Sequence, residues 1–239
     1  MIRFLKKTIL ILTVFVVIYG VYLASEIYAA RALTESKIRP MLTTPLIKLS
    51  KTDLSPRQLE ILLKVEDPSF YSHNGIDITT PGAGLTTITQ ALVKVLYFDK
   101  FKPGIAKIKQ ILIAIFALNS MISKDDQLKL FLNFAYFGTN SSKEPILGFA
   151  DASEYYFQLG LVNLSEDQFI SLVAMLIAPN VFNPLKNAKL NSERVERIRK
   201  LVSGQYTPKG VFDVYYGKIP AEYIKELPSG SYFESYYDQ

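Results

Sequence analysis

The chain opens with an unbroken apolar run and then settles into a helical period of apolar positions that lasts to about residue 204. Residues 8–24 (TILILTVFVVIYGVYLA) are 17 uncharged positions in a row, the short end of what spans a bilayer as a helix. Beyond residue 31 the apolar positions recur at spacings of three and four. Ser55 followed by Pro56 reads as an N-cap with proline at the first helical position, with Leu59, Leu62 and Leu63 on one face behind it. Thr86 or Thr87 caps a helix running towards Phe98. Pro103-Gly104 precedes a helix over residues 105–119, whose second half is apolar on nearly all sides, as a buried helix is. Ser123 caps residues 124–135, with Leu128, Phe131, Leu132 and Ala135 in phase. Ser165 and Gln168 form a capping box ahead of Phe169, Leu172, Val173 and Leu176. Asn191 or Ser192 starts a last helix through Val195, Ile198 and Leu201, which Gly204 stops. Strand alternation is nowhere sustained. The predicted fold class is mainly α: a helical domain over residues 31–204 behind a single N-terminal transmembrane helix within residues 1–30. Residues 205–239 hold seven of the 15 tyrosines and read as a tail packed on the domain's flank, with a seat at the membrane interface as the alternative.

Composition narrows the chemistry. With 49% apolar residues and a mean hydropathy of +0.16, the chain is not disordered. The absence of cysteine excludes a disulfide scaffold, a thiolate metal site and a cysteine nucleophile. A single histidine, His73, excludes a His-rich zinc site. The net charge is +5, and Arg3, Lys6 and Lys7 supply much of it within the first seven residues. What remains is too mild a basic excess for a nucleic-acid binder. Those three charges place the N-terminus in the cytoplasm and everything after Ser25 outside it. The rival is a cleaved signal peptide, and the length of the apolar run favours the uncleaved anchor.

Polar chemistry gathers in three places. EDPSFYSHNGID carries Glu66, Asp67, His73 and Asp77 at the end of the first domain helix. GLTTITQALVK, residues 84–94, is a hydroxyl-rich turn entering a helix, whose N-terminal N–H groups suit an anion or a plain cap. Residues 100–123 then carry Lys100, Lys102, Lys107 and Lys109 with no acid, crowded at a helix N-terminus that the dipole makes unfavourable for cations. An anionic ligand, whether phosphate or lipid headgroup, offsets that arrangement.

These residues carry a resemblance. EDPSFYSHNGID resembles the first motif of the peptidoglycan glycosyltransferases (glycosyltransferase family 51) through Glu66, Asp67, Phe70, His73, Gly75 and Asp77. GLTTITQALVK is similar to the second through Gly84, Thr87, Ile88, Thr89, Gln90, Leu92 and Lys94. AKIKQ stands where the family has Arg-Lys-x-x-Glu, and KDDQLKLFLNFAYFG resembles the fourth motif through Lys124, Leu128, Asn133, Tyr136, Phe137 and Gly138. A Tyr-Phe run with its Leu-Ser helix, then Asn183-Pro184, closes the pattern in the family's order. An anchor followed by one such domain resembles the monofunctional transglycosylases. The resemblance implies a lysozyme-like, mainly helical fold and polymerisation of lipid II, with inversion at the sugar carbon that loses undecaprenyl diphosphate. It implies Glu66 as the general base. Lys94 and Lys107, with Thr87, Gln90, Lys109 and Gln110, become the diphosphate and substrate ligands, and Asp67 and His73 orient the loop. A divalent cation such as Mg²⁺ commonly assists in this family, although no residue here is assigned to hold a metal. The implied partners are lipid II, the nascent glycan strand, the bilayer and other cell-wall synthases, and the implied location is the bacterial cytoplasmic membrane. Two departures bear on turnover: Gln110 replaces the family's second glutamate, and Ala106 replaces an arginine. Lys109, one turn from Ala106, is placed to restore part of that charge. The alternative function is a weak or inactive relative that binds lipid-linked precursor or a synthase. A lytic enzyme is disfavoured, because cleaving finished glycan has no use for a diphosphate-binding lysine cluster.

Overall fold

The apolar run forms one long helix, α1 (Ile2–Leu33), which continues through a widened π-helical turn at Thr34–Ile38 to Met41. The computed structural model describes residues 2–102 and 104–217. From Phe4 to Met41 this helix is long and apolar enough to cross a membrane. Phe4, Leu10, Phe15, Val16 and Val21 are all more than half exposed along it, an apolar surface that calls for a non-aqueous neighbour. Further along, the same helix becomes part of the domain. Ala30, Thr34 and Ile38 are buried. Arg31 Nη1 donates to the Phe116 carbonyl at 2.6 Å and to the Ser120 hydroxyl at 2.9 Å. Thr34 donates to the Ala30 carbonyl, which leaves its oxygen to accept from the Tyr97 hydroxyl at 2.7 Å. The helix therefore crosses residue 30 without a break.

The domain follows as α2 (Pro56–Glu66), α3 (Ile88–Tyr97), α4 (Ile105–Ile113), α5 (Lys124–Phe134), a strand pair β1 (Tyr136–Thr139) and β2 (Pro145–Leu147), α6 (Gly148–Phe157), α7 (Glu166–Met175) and α8 (Ala188–Val202). Local chemistry sets the helix starts. The Ser55 and Ser165 side chains accept from the backbone of Gln58 and Gln168 in complete capping boxes, and Thr87 and Ser123 cap α3 and α5 in the same way. The hub is α7, buried from Phe169 through Met175 and packed against α2, α6 and α8. On the other side, α3 lies against α4 and α5. α4 runs on through a second widened turn, Ala114–Leu118, to Met121, and α1 packs on that turn. The fold is mainly α, as the periodicity predicts.

Two details differ from expectation. The last helix starts at Ala188, three residues before Asn191. Asn191 is no cap, because tertiary bonds occupy its amide: Nδ2 donates to the Phe182 and Ser171 carbonyls, and Oδ1 accepts from the Ser171 hydroxyl. The antiparallel β1–β2 pair is also new, since runs of four and three residues are too short to show alternation. It returns the chain to α6 through Gly148, whose N–H donates to the Ala135 carbonyl at 2.7 Å. Gly148 has φ +78°, and a Cβ there would stand 2.6 Å from the Asn133 carbonyl oxygen. Backbone cannot swing aside as a side chain can. Gly148→Ala should therefore lower stability by about 2–3 kcal/mol, read as a shift in the denaturation midpoint. An unchanged midpoint would show that the turn relaxes freely.

Candidate active site

The site begins where α2 ends. Glu66 is the last residue of the helix, and Asp67 caps it in a non-helical conformation with φ −163°. Asp67 is 1% exposed and fully engaged. Its carboxylate accepts from His73 Nε2 at 2.9 and 3.0 Å and from the Ile88 N–H at 3.0 Å. The Gly75 N–H donates to His73 Nδ1 at 2.9 Å, so Nε2 carries the proton shared with Asp67. Thr87 donates to the Gly75 carbonyl at 2.8 Å while capping α3. Asp67, His73, Gly75 and Thr87 are thus linked in one hydrogen-bonded loop. The anion held at the N-terminus of α3 is the protein's own Asp67.

Glu66 faces a cavity of about 330 Å³, lined also by Lys94, Phe134, Arg194, Val214 and Tyr216. Glu66 is half-buried, with its side chain open to the cavity. Burial pushes the carboxyl up to about 7, opposed by the charge of Arg194 and assisted by that of Asp67. Lys94, on α3, also lines the cavity, with its ammonium 5.4 Å from the centre of the Phe101 ring. Burial, and then the neighbouring Lys107 charge, bring it down to about 8.

Lys107 stands in the first turn of α4, where its ammonium donates to Gln90 Oε1 at 3.0 Å and approaches the Thr86 hydroxyl at 3.4 Å. Burial lowers its pKa as well. Gln110 is fully buried one turn on, and its Nε2 donates to the Gln90 carbonyl at 2.6 Å. Its Oε1 is a buried oxygen with no hydrogen-bond partner, a side chain only half satisfied by its surroundings. Lys94, Lys107, Gln90 and Gln110 therefore do come together.

Lys109 does not join them. Two positions along a helix turn a side chain through about 200°, and Lys109 pairs instead with Glu26 of α1 at 2.7 Å, its ammonium 5.7 Å from the centre of the Tyr22 ring. The expectation that Lys109 makes good the missing arginine at Ala106 is corrected by this pairing. Two cations outside the assigned set do approach the site. Lys124 lies 4.6 Å over the Phe70 ring, and burial brings it down to about 8 against the pull of Asp67. Arg194, 2% exposed, donates to the Ala174 and Val214 carbonyls at 3.1 and 3.2 Å. Its signal was present in the sequence. Residues 194, 198 and 201 stand at i, i+4 and i+7, which puts Arg194 on the buried face of α8.

A resident divalent cation does not fit this donor set. Among the described residues no three His, Asp, Glu or Cys side chains gather to hold a metal. Asp67 is spent on His73 and Ile88, and Gln110 offers a neutral amide near two lysines.

The mainly helical fold thus places Glu66 and Lys94 on one cavity, with Lys107 beside Lys94. The chain belongs to the transglycosylase family, whose model matches residues 45–203. It is 30% identical over 198 residues to penicillin-binding protein 1F of Bacillus subtilis, covering 77% of this chain and 27% of that protein. Penicillin-binding protein 2a of Streptococcus pneumoniae is 32% identical over 168 residues, covering 66% and 22%. Penicillin-binding protein 1B of Escherichia coli is 33% identical over 160 residues, covering 62% and 19%. The chain thus spans about a quarter or less of the length of these relatives.

Proposed function

We propose that this protein is a membrane-anchored glycosyltransferase that polymerises lipid II into glycan strands and releases undecaprenyl diphosphate. The observation that carries the reading is the placement of Glu66 and Lys94 on one cavity, with Lys107 beside Lys94. In the reaction the acceptor sugar hydroxyl attacks the donor's anomeric carbon from the face opposite the diphosphate. The new glycosidic bond forms as the carbon–oxygen bond to diphosphate breaks. Glu66 takes the hydroxyl proton, and its pKa near 7 suits a base that works at neutral pH. Lys94 and Lys107 offset the charge that builds on the leaving diphosphate. Thr87 and Gln90 act behind them, holding the loop and Lys107. Arg3, Lys6 and Lys7 keep the N-terminus cytoplasmic, so the cavity faces the outer side of the bacterial cytoplasmic membrane, where lipid-linked precursor, nascent strand and other synthases are partners.

The second reading, precursor binding with little turnover, is favoured by one observation. The third-motif positions offer an amide at Gln110 and no cation at Ala106, and Lys109 is held elsewhere. Incubating the purified full chain with labelled lipid II separates the two. Polymer on a gel supports the transferase, and saturable binding without polymer supports the second reading.

The two shifted pKa values set a pH profile. Glu66 must be ionised, so kcat/KM rises as pH passes about 7. Lys94 must be charged, so kcat/KM falls as pH passes about 8. The expected profile is a narrow bell between these values. A flat profile from pH 5 to 9 would remove both groups from the mechanism.

A further inference from the structure

Just beyond the stretch matched by the family model, the chain turns back onto the site. Residues 206–217 form a strap organised around Asp213, whose carboxylate accepts from the Tyr206 hydroxyl at 2.5 Å, the Lys209 N–H at 3.0 Å and the Gly217 N–H at 3.3 Å. The strap meets the loop between the first two motifs backbone to backbone. The Gly82 N–H donates to the Gly210 carbonyl and the Gly84 N–H to the Val211 carbonyl, both at 2.9 Å. These contacts are close enough to need glycine. A Cβ on Gly82, at φ +79°, would lie 2.7 Å from Pro208, and one on Gly84, at φ +70°, would lie 3.1 Å from Val214.

The end of the strap reaches the helix turn that carries Glu66. Tyr216 is 4% exposed, and its hydroxyl donates to the Val65 carbonyl at 3.0 Å. That carbonyl belongs to the last turn of α2, where helix geometry leaves C=O groups without partners. The Tyr216 ring also covers Arg194, with the guanidinium 5.6 Å from its centre. Arg194 in turn donates to the Val214 carbonyl. Val214 and Tyr216 line the cavity together with Glu66.

We propose that the strap is part of the catalytic apparatus and that Tyr216 is a positioning residue for Glu66. Its hydroxyl fixes the turn that carries the carboxyl, and its ring closes the cavity wall beside it. This inference rests on the reading of Glu66 as the base. The groups that face Glu66 are Arg194 from α8, Tyr216 from the strap, Lys94 from α3 across the cavity, and Asp67 at the end of its own helix. Burial is the main cause of the raised Glu66 pKa, and the Tyr216 ring lines the same cavity, so opening that wall to water should let the pKa fall.

The test uses the full chain with Tyr216→Phe, Tyr216→Ala and, as reference, Glu66→Gln. Three readouts are taken: polymerisation kinetics, hydrogen exchange at residues 82–84, and the pH dependence of carbodiimide labelling of Glu66 followed by mass spectrometry. In Tyr216→Ala the labelling midpoint should fall by about one unit or more, exchange at Gly82 and Gly84 should quicken, and kcat should drop by at least about tenfold with KM little changed. Tyr216→Phe keeps the wall, so it should keep the midpoint while losing a few-fold in kcat. If Tyr216→Ala does not fold, the Phe variant decides through kcat. Unchanged kcat in Tyr216→Phe, or a folded Tyr216→Ala with native midpoint and exchange, overturns the proposal. Full activity in Glu66→Gln sinks the base reading instead, and the midpoint and exchange data still judge the strap.

Discussion

Replacing Glu66 with Gln should reduce glycan polymerisation by about a hundredfold or more, the scale on which a general base contributes. The amide matches the carboxyl in size but cannot take up the acceptor's proton at any working pH. A hundredfold is about 2.7 kcal/mol of transition-state free energy. The same substitution should stabilise the protein at alkaline pH. In the folded chain burial raises the Glu66 pKa from its ordinary 4.5 to about 7, so the native state holds that proton more tightly than the unfolded chain does. Stability is therefore greatest below about 4.5, declines as pH rises to about 7, and stays lower above it. The penalty for an ionised Glu66 is on the order of 3 kcal/mol, and Gln removes it. Denaturation at pH 4 and pH 8 checks this: the variant should match the natural protein at the lower pH and exceed it at the higher. A variant that loses activity and also loses stability at pH 8 would mean the carboxyl is a structural ion pair with Arg194. One that keeps its activity would mean another group takes the proton.

Much of this fold is written in short-range chemistry, which a sequence displays directly. Ser55, Thr87, Ser123 and Ser165 start helices because their hydroxyls reach N–H groups three residues on, whatever the rest of the chain does. Glu66, Asp67 and His73 were legible as a motif, and Asp67 meets His73 because a single loop of residues 67–75 closes on itself. Side chains whose partners lie far along the chain were not legible. Asn191 looks like a cap and is consumed by Ser171 and Phe182 instead. Lys109 looks like a phosphate ligand, but Glu26, 83 positions away on α1, holds it. The strap has no period to read, because it is held by backbone bonds to Gly82 and Gly84 rather than by an apolar stripe. The tail expectation for residues 205–239 is thus reshaped in its first part, where Val214 and Tyr216 line the cavity, while residues 218–239 lie outside those described.

Replacing Asp67 with Ala should abolish activity together with about 3–5 kcal/mol of stability, a different signature from that of Glu66. Asp67 takes no proton in the reaction, and its effect comes from what it holds. Its two oxygens serve the His73 ring and the first N–H of α3, and all three groups sit in the protein interior beside the base. Removing the carboxylate strands two buried donors, at about 1–3 kcal/mol each. It also releases His73, and through Nδ1 the Gly75 turn on which Thr87 is hung. The entrance to α3 then loses its side-chain latch, and Lys94, about 1.7 turns further on, loses its fixed position across from Glu66. Asp67→Asn retains one acceptor and should recover at least about half of the lost stability, with activity following it. Calorimetry of the three proteins, set beside their polymerisation rates, tests the claim. Should Asp67→Ala melt with the natural protein while activity vanishes, Asp67 touches substrate and is not the brace described here.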